Sequence, residues 1–189
     1  MPTYVGLLRA VNLGGATQVR MDALRTLLSR MKLEGVQTLL QSGNVVFRSR
    51  DRDSARVEGQ LEARITKDLK VATQVFVRSA EEWSAIVANN PFPREAVEMP
   101  PYLQMLTLKA SPPPEGWKAL QAAIIGRERF RPGERCAYIV YPDGVGRSRL
   151  TSPLIEKCLG TRGTLRNWNT VTKLAALAVG EKTPSSASR

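Results

Sequence analysis

Hydrophobic positions fall into short blocks whose spacing alternates between two kinds. TYVGLLRA (residues 3–10) is a nearly unbroken apolar run and reads as a strand; apolar residues on both of its faces predict a sheet covered on both sides. Leu24, Leu27, Leu28 and Met31 then recur at the spacing of one helix face, with Gly35 as the expected stop. VQTLLQ and NVVFRS are two strands joined through Ser42-Gly43-Asn44, a hairpin turn. Val57, Leu61, Ile65 and Leu69 share a second helical stripe, and VATQVFVRS (71–79) closes the unit as a strand. The order β-α-β-β-α-β is the ferredoxin-like pattern.

Ser79 and Glu82 stand at the spacing of a capping box, ahead of a helix carrying Trp83, Ile86 and Val87. NNPFPREAVEMPP then breaks the periodicity, and its prolines mark a boundary. YLQMLTLKA (102–110) starts again as a strand, followed by a helix with Trp117, Leu120 and Ile124 that stops at Gly126. ERFRPGERCAYIVYP reads as two strands around Pro132-Gly133, and SPLIEKCLG as a helix with Ser152 at the N-cap and Gly160 at the end. A last helix begins near Asn169. The expected fold is therefore α+β with two units. The first, 1–79, is ferredoxin-like; the second, 102–180, is β-α-β-β-α-α; they pack on each other through a connecting helix in the 80–101 linker, and 181–189 is a flexible tail.

Composition narrows the chemistry more than the fold. The 189 residues include no histidine, which removes a Ser-His-Asp triad, a Cys-His dyad and any imidazole metal ligand. Cys136 and Cys158 are the only cysteines, too few for a thiolate zinc site and not paired as C-x-x-C. With no secretory leader and no apolar stretch of membrane-spanning length, the expectation is a cytoplasmic protein without a membrane partner.

The formal charge is +11, and both halves are basic: +6 over residues 1–79 and +8 over 102–189, with −3 in between. Arginine dominates, and its planar fork suits phosphate. Two readings stand: an anionic partner, or an arginine-rich solvated surface.

YVGLLRAVNLGG, VRMDALRTLL, QSGNVVF, YPDGVGRSRLT and RNWNTVTKL occur in this order. Together they resemble a bacterial family of uncharacterised proteins, domain of unknown function 1697, and the resemblance runs from the first strand to the last helix. It implies a two-part α+β fold with a ferredoxin-like first half, and it brings no activity, cofactor or catalytic residue. Ala10 departs from the pattern, standing where the family usually has glycine.

RAVNLGG poses the sharpest local question, because a glycine pair and an Asn follow Arg9 directly at the end of so apolar a strand. Free backbone N–H groups before a helix, with two glycines, can surround an anion. On that reading the ligand set is Arg9, Asn12, Gly14, Gly15 and Arg20, with Ser42 and Asn44 from the hairpin. The spacing matches neither phosphate-loop nor dinucleotide fingerprints, so a plain glycine turn stands beside it. In the second unit YPDGVGRSRL presents Arg147 and Arg149, side by side if the segment is extended, which could clamp a phosphate.

The element order is also that of the RNA recognition motif, with Tyr4 where a stacking aromatic would stand. Phe47, however, is one residue out of phase and expected on the other face, so core packing is the better account of both rings. Trp168 reads as a buried anchor, and Tyr138 and Tyr141 as packing. Neither Glu81 and Glu82 nor Asp51 and Asp53 make an acid/base pair. The reading that follows is a phosphate-bearing partner, nucleic acid ahead of nucleotide, with no cofactor or metal. Its alternative is a small-molecule enzyme working through carboxylates or an oxygen-bound divalent metal.

Overall fold

The computed structural model describes residues 1–12 and 18–180. The chain divides into two compact units, one formed by Met1–Ala85 with the stretch from Thr172 onward, the other by Ile86–Val171. Both boundaries fall inside helices. The expected tail, 181–189, lies outside the described residues.

In the first unit the elements are β1 (Thr3–Leu8), α1 (Met21–Arg30), β2 (Glu34–Leu39), β3 (Asn44–Arg48), α2 (Ser54–Leu69), β4 (Val75–Ser79) and α3 (Ala80–Ala88). The sheet is antiparallel in the order β2-β3-β1-β4, so the most apolar strand is central. One face, built from Tyr4, Leu8, Val45, Phe47, Val75 and Val77, packs with Leu24, Leu27, Leu28, Val57, Leu61 and Ile65 of α1 and α2. Residues of the opposite face are buried too, with Val5, Leu7 and Phe76 at 0% exposure. That is why β1 lacks the apolar-polar alternation of a half-solvated strand.

Helix α1 does not run to Gly35. It ends at Arg30, because Lys32 takes the left-handed conformation at φ 61° and turns the chain back. Gly35 is instead inside β2 at φ 60°, where the register against β3 slips between Glu34 and Gln37, a bulge that only a residue free of Cβ strain enters cheaply. The capping box forms as expected: Glu82 N–H donates to Ser79 Oγ (3.1 Å) and Ser79 N–H to Glu82 Oε2 (2.7 Å).

The proline-rich linker is not structureless. It holds α4 (Pro93–Glu98), which opens with a proline in its first turn, where the missing N–H costs nothing. The second unit continues with β5 (Leu103–Leu108), α5 (Pro114–Ala123), β6 (Arg129–Gly133), β7 (Cys136–Val140), α6 (Ser152–Leu159) and β8 (Gly163–Asn167), and α7 (Trp168–Ala178) follows. Three details differ from the sequence expectation. The β6–β7 turn lies at Glu134-Arg135, with Arg135 at φ 50°, and not at Pro132-Gly133. Thr151, not Ser152, occupies the cap position of α6. The third difference is β8, which turns the expected β-α-β-β-α-α into a second β-α-β-β-α-β. GTLRN has one large apolar residue in five, too few for a period to register, and its strand state comes from pairing with β5.

The second sheet runs β6-β7-β5-β8, the topology of the first sheet repeated. The repeat extends to single bonds. Leu8 N–H donates to the Gly43 carbonyl and Leu108 N–H to that of Arg135; Arg9 N–H donates to Gln74 and Lys109 N–H to Arg162. The last strand of each unit carries an inward arginine before its end, Arg78 opposite Val5 and Arg166 opposite Met105. Each donates through Nη1 to the carbonyl of the preceding residue, at 2.8 and 2.7 Å. Each is followed by the residue that caps the next helix: Ser79 for α3, and Asn167, which accepts from Thr170 N–H at 3.0 Å, for α7. Arg78 is 1% exposed, and burial lowers the Arg166 pKa to about 10, leaving it charged at neutral pH.

Candidate functional site

Around the loop that follows β1, the backbone is already unusual before the glycines. Ala10 has φ 52° and Asn12 φ 58°, both left-handed. Asparagine tolerates that region; alanine does so at a cost of about 1–2 kcal/mol, which is the physical reason a glycine suits position 10. Asn12 is the staple of this loop. Its Nδ2 donates to the carbonyls of Val19 (2.8 Å) and Gln41 (2.6 Å), and its Oδ1 accepts from Val19 N–H (2.8 Å). Both amide hydrogens are therefore committed to backbone, and the side chain ties the loop's two ends to the hairpin.

Arg20, at the start of α1, grips Asp22 through Nε (3.1 Å) and Nη2 (2.6 Å). The guanidinium, chiefly through that hydrogen bond, holds the Asp22 carboxyl down to about 2. Arg9 is half-buried; its carbonyl accepts from Thr73 Oγ1 at 2.7 Å. Gly14 and Gly15 lie outside the described residues.

On the hairpin, Asn44 is fully buried and donates through Nδ2 to the Leu39 carbonyl (2.9 Å) and to Ser42 Oγ (2.8 Å). These bonds close the turn. Gly43 sits between at φ 73°, and a Cβ there would come within 2.7 Å of Leu8 Cβ and Val11 Cγ2. Of the first candidate set, then, Asn12, Ser42 and Asn44 build the turns and Arg20 is occupied by a carboxylate.

The second pair has a different setting. Arg147 ends a short 3-10 turn, Val145–Arg147, so the two arginines do not stand on one extended segment as the sequence suggested. Both are exposed, and among the described residues neither has a carboxylate partner within ion-pair distance. They line an open cleft of about 270 Å³ with Ile125, Glu128, Asp143, Ser148 and Leu150. Its carboxylates are engaged: Asp143 by a bidentate bond to Arg127, and Glu128 by Ser148 Oγ–H. The Arg127 hydrogen bond holds the Asp143 carboxyl below its ordinary range, with a smaller effect of Arg147. Ser148 Oγ also accepts from Leu150 N–H at 2.9 Å, which fixes the backbone between the two arginines. Glu128 and Ser148 carry no motif and were not legible beforehand, whereas the YPDG turn did point here.

Tyr4 and Phe47 are not a stacking surface for bases. They face the same side of the sheet, directly opposite each other, and stack at 5.8 Å and 29° within the core. The expectation that Phe47 points away from Tyr4 fails because β1 and β3 pair them across one register position. Tyr138 and Tyr141 are buried, their hydroxyls donating to the carbonyls of Ile86 and Leu150. Trp168 is buried with its ring 6.3 Å from that of Tyr138. Among the described residues, no group of three or more acidic or cysteine side chains is placed to hold a metal ion, and no helix is long and apolar enough to cross a membrane.

Two repeated ferredoxin-like sheets, with basic loops at their turns, define an α+β protein of tandem units. Residues 1–138 match the family described as "Protein of unknown function (DUF1697)", and the chain belongs to it. Among solved structures it is similar to the conserved bacterial protein SP0830 from Streptococcus pneumoniae, at 21% identity and a TM-score of 0.76, over 94% of this chain and 98% of that one. That likeness concerns the fold. No curated protein matches the sequence.

Proposed function

We propose that this protein binds a phosphate-bearing partner, nucleic acid ahead of a nucleotide, and that Arg147 and Arg149 make the principal contacts. The observation that carries the reading is the pair of exposed guanidiniums on one cleft whose two carboxylates are engaged by Arg127 and Ser148. Phosphate binding needs donors that are not already spent, and a fork-shaped donor serves best. The unit as a whole favours an anion: residues 86–171 carry 12 basic and 7 acidic side chains, net +5. Arg9, with Gly14 and Gly15, is retained in this proposal as a second, weaker contact.

The test is filter binding of single- and double-stranded DNA and RNA across a salt series. Log affinity should fall linearly with log salt, and replacing both Arg147 and Arg149 with Ala should reduce the slope by about 2. No retention of any nucleic acid at low salt would end this reading. A thermal-shift screen of nucleotides and sugar phosphates would then show whether a small anion is the ligand instead, since binding to the folded state raises Tm.

A further inference from the structure

Seven large hydrophobic side chains are exposed among the described residues, and three of them are tied to the 143–149 loop or its cleft: Val145 within the loop, Tyr102 against Gly144, and Ile125 in the lining of the cleft. Tyr102 is 41% exposed, and its ring is the nearest side chain to Gly144, 3.8 Å from where a Cβ would stand. Val145 opens the 3-10 turn that ends at Arg147, and Ile125, 69% exposed, lines the cleft with both arginines. The Tyr102 backbone is pinned: its N–H donates to the Met99 carbonyl and its carbonyl accepts from Tyr141 N–H, both at 2.9 Å. A partly exposed ring on a fixed backbone just before β5, with an edge near Gly144, is set out at little further entropic cost.

We propose that Tyr102 is a stacking platform for an unpaired base, and that with Arg147 and Arg149 it makes this face a site for single-stranded nucleic acid. The proposal rests on the phosphate reading above and goes further by naming the ligand's form. The occupant follows from the combination of groups. Guanidiniums alone accept any polyanion, and an exposed ring alone accepts many apolar surfaces. An exposed ring against Gly144, on the same loop as two guanidiniums that have no carboxylate partner among the described residues, matches a chain that alternates π-faces with phosphates. In a duplex the base faces are already stacked on one another and unavailable to Tyr102, so the single strand is preferred.

The experiment uses the full chain and fluorescence anisotropy at low salt with three probes: a labelled dT 12-mer, an abasic 12-mer of equal charge, and a 12-bp duplex. The dT strand should bind roughly 10-fold more tightly than the abasic strand, the scale of one base–aromatic stack. Tyr102→Ala should abolish that difference and Tyr102→Phe preserve it, while Arg147→Ala and Arg149→Ala weaken both strands alike. The same pair in ribose form reports the preferred sugar. Equal binding of dT and abasic strands by the unaltered protein overturns the stacking site and leaves the phosphate reading standing. A base preference that survives Tyr102→Ala overturns the role of Tyr102. Failure of all probes to bind overturns the stacking site and the nucleic-acid form of the phosphate reading. The abasic comparison needs no variant, so a poorly folded Tyr102→Ala does not decide the matter.

Discussion

Alanine at position 10 is held where an L-residue is strained, and its neighbour but one does the holding. Asn12 makes three hydrogen bonds to backbone, two of them to Val19, and these fix the loop ends however the intervening residues run. Ala10→Gly should therefore stabilise the protein by about 0.5 kcal/mol, the relief of left-handed strain less the greater freedom of glycine in the unfolded chain. Asn12→Ala should cost about 2 kcal/mol, because it leaves Val19 and Gln41 groups without partners. Urea titration measures both, and unchanged stability in the second variant would contradict the stapling role. The sequence offered Asn12 and Asn44 as ligand groups, and in the fold their side chains bond to the backbone and to Ser42 Oγ. Amide side chains suit a ligand and a tight turn equally, and only the geometry of their bonds separates the two.

Elements were legible in proportion to the regularity of their burial. The stripes of α1 and α2 and the apolar runs of β1 and β5 registered because packing on one side, or on both, imposes a simple period. β8 did not, for its burial comes from its neighbour and its sequence is dominated by an inward arginine and a cap. The same arrangement at β4 was hidden by stronger apolar flanks. Arg78 and Arg166 thus form a pair that the pattern of polar positions treats as errors and the fold treats as equivalents. Removing the fully buried, hydrogen-bonded one of the two should be costly: Arg78→Ala is expected to lose about 3 kcal/mol in denaturant unfolding. An exposed arginine such as Arg147 should lose within about 0.5 kcal/mol when changed to Ala, so the contrast between the two variants is itself the check.

For the molecule as a whole, the division into units does not follow the division into helices. The boundaries at Ala85/Ile86 and Val171/Thr172 lie within α3 and α7. Melting either unit would cut both helices partway along, leaving the rest of each without its continuation. We therefore expect a single calorimetric transition; two resolved transitions would show the units to be independent. The charge pattern belongs to this scale as well. Net basicity was plain from composition, but which arginines remain available was not, because composition does not show ion pairs: Arg20–Asp22 forms within a single short motif, and Arg127–Asp143 joins residues that no motif relates.

The path of α7 also bears on how the chain is made. Leu177 and Ala178, with the two residues after them, line one hollow with Thr3, Gln37, Val46, Phe47 and Arg48 of the first sheet. On the ribosome the first unit emerges early, yet a piece of its wall is translated only after the entire second unit. Completion of that hollow must wait for release of nearly the whole polypeptide. A nascent chain stalled after residue 85 should accordingly be cut readily by protease, and one extended beyond residue 180 and clear of the exit tunnel should resist.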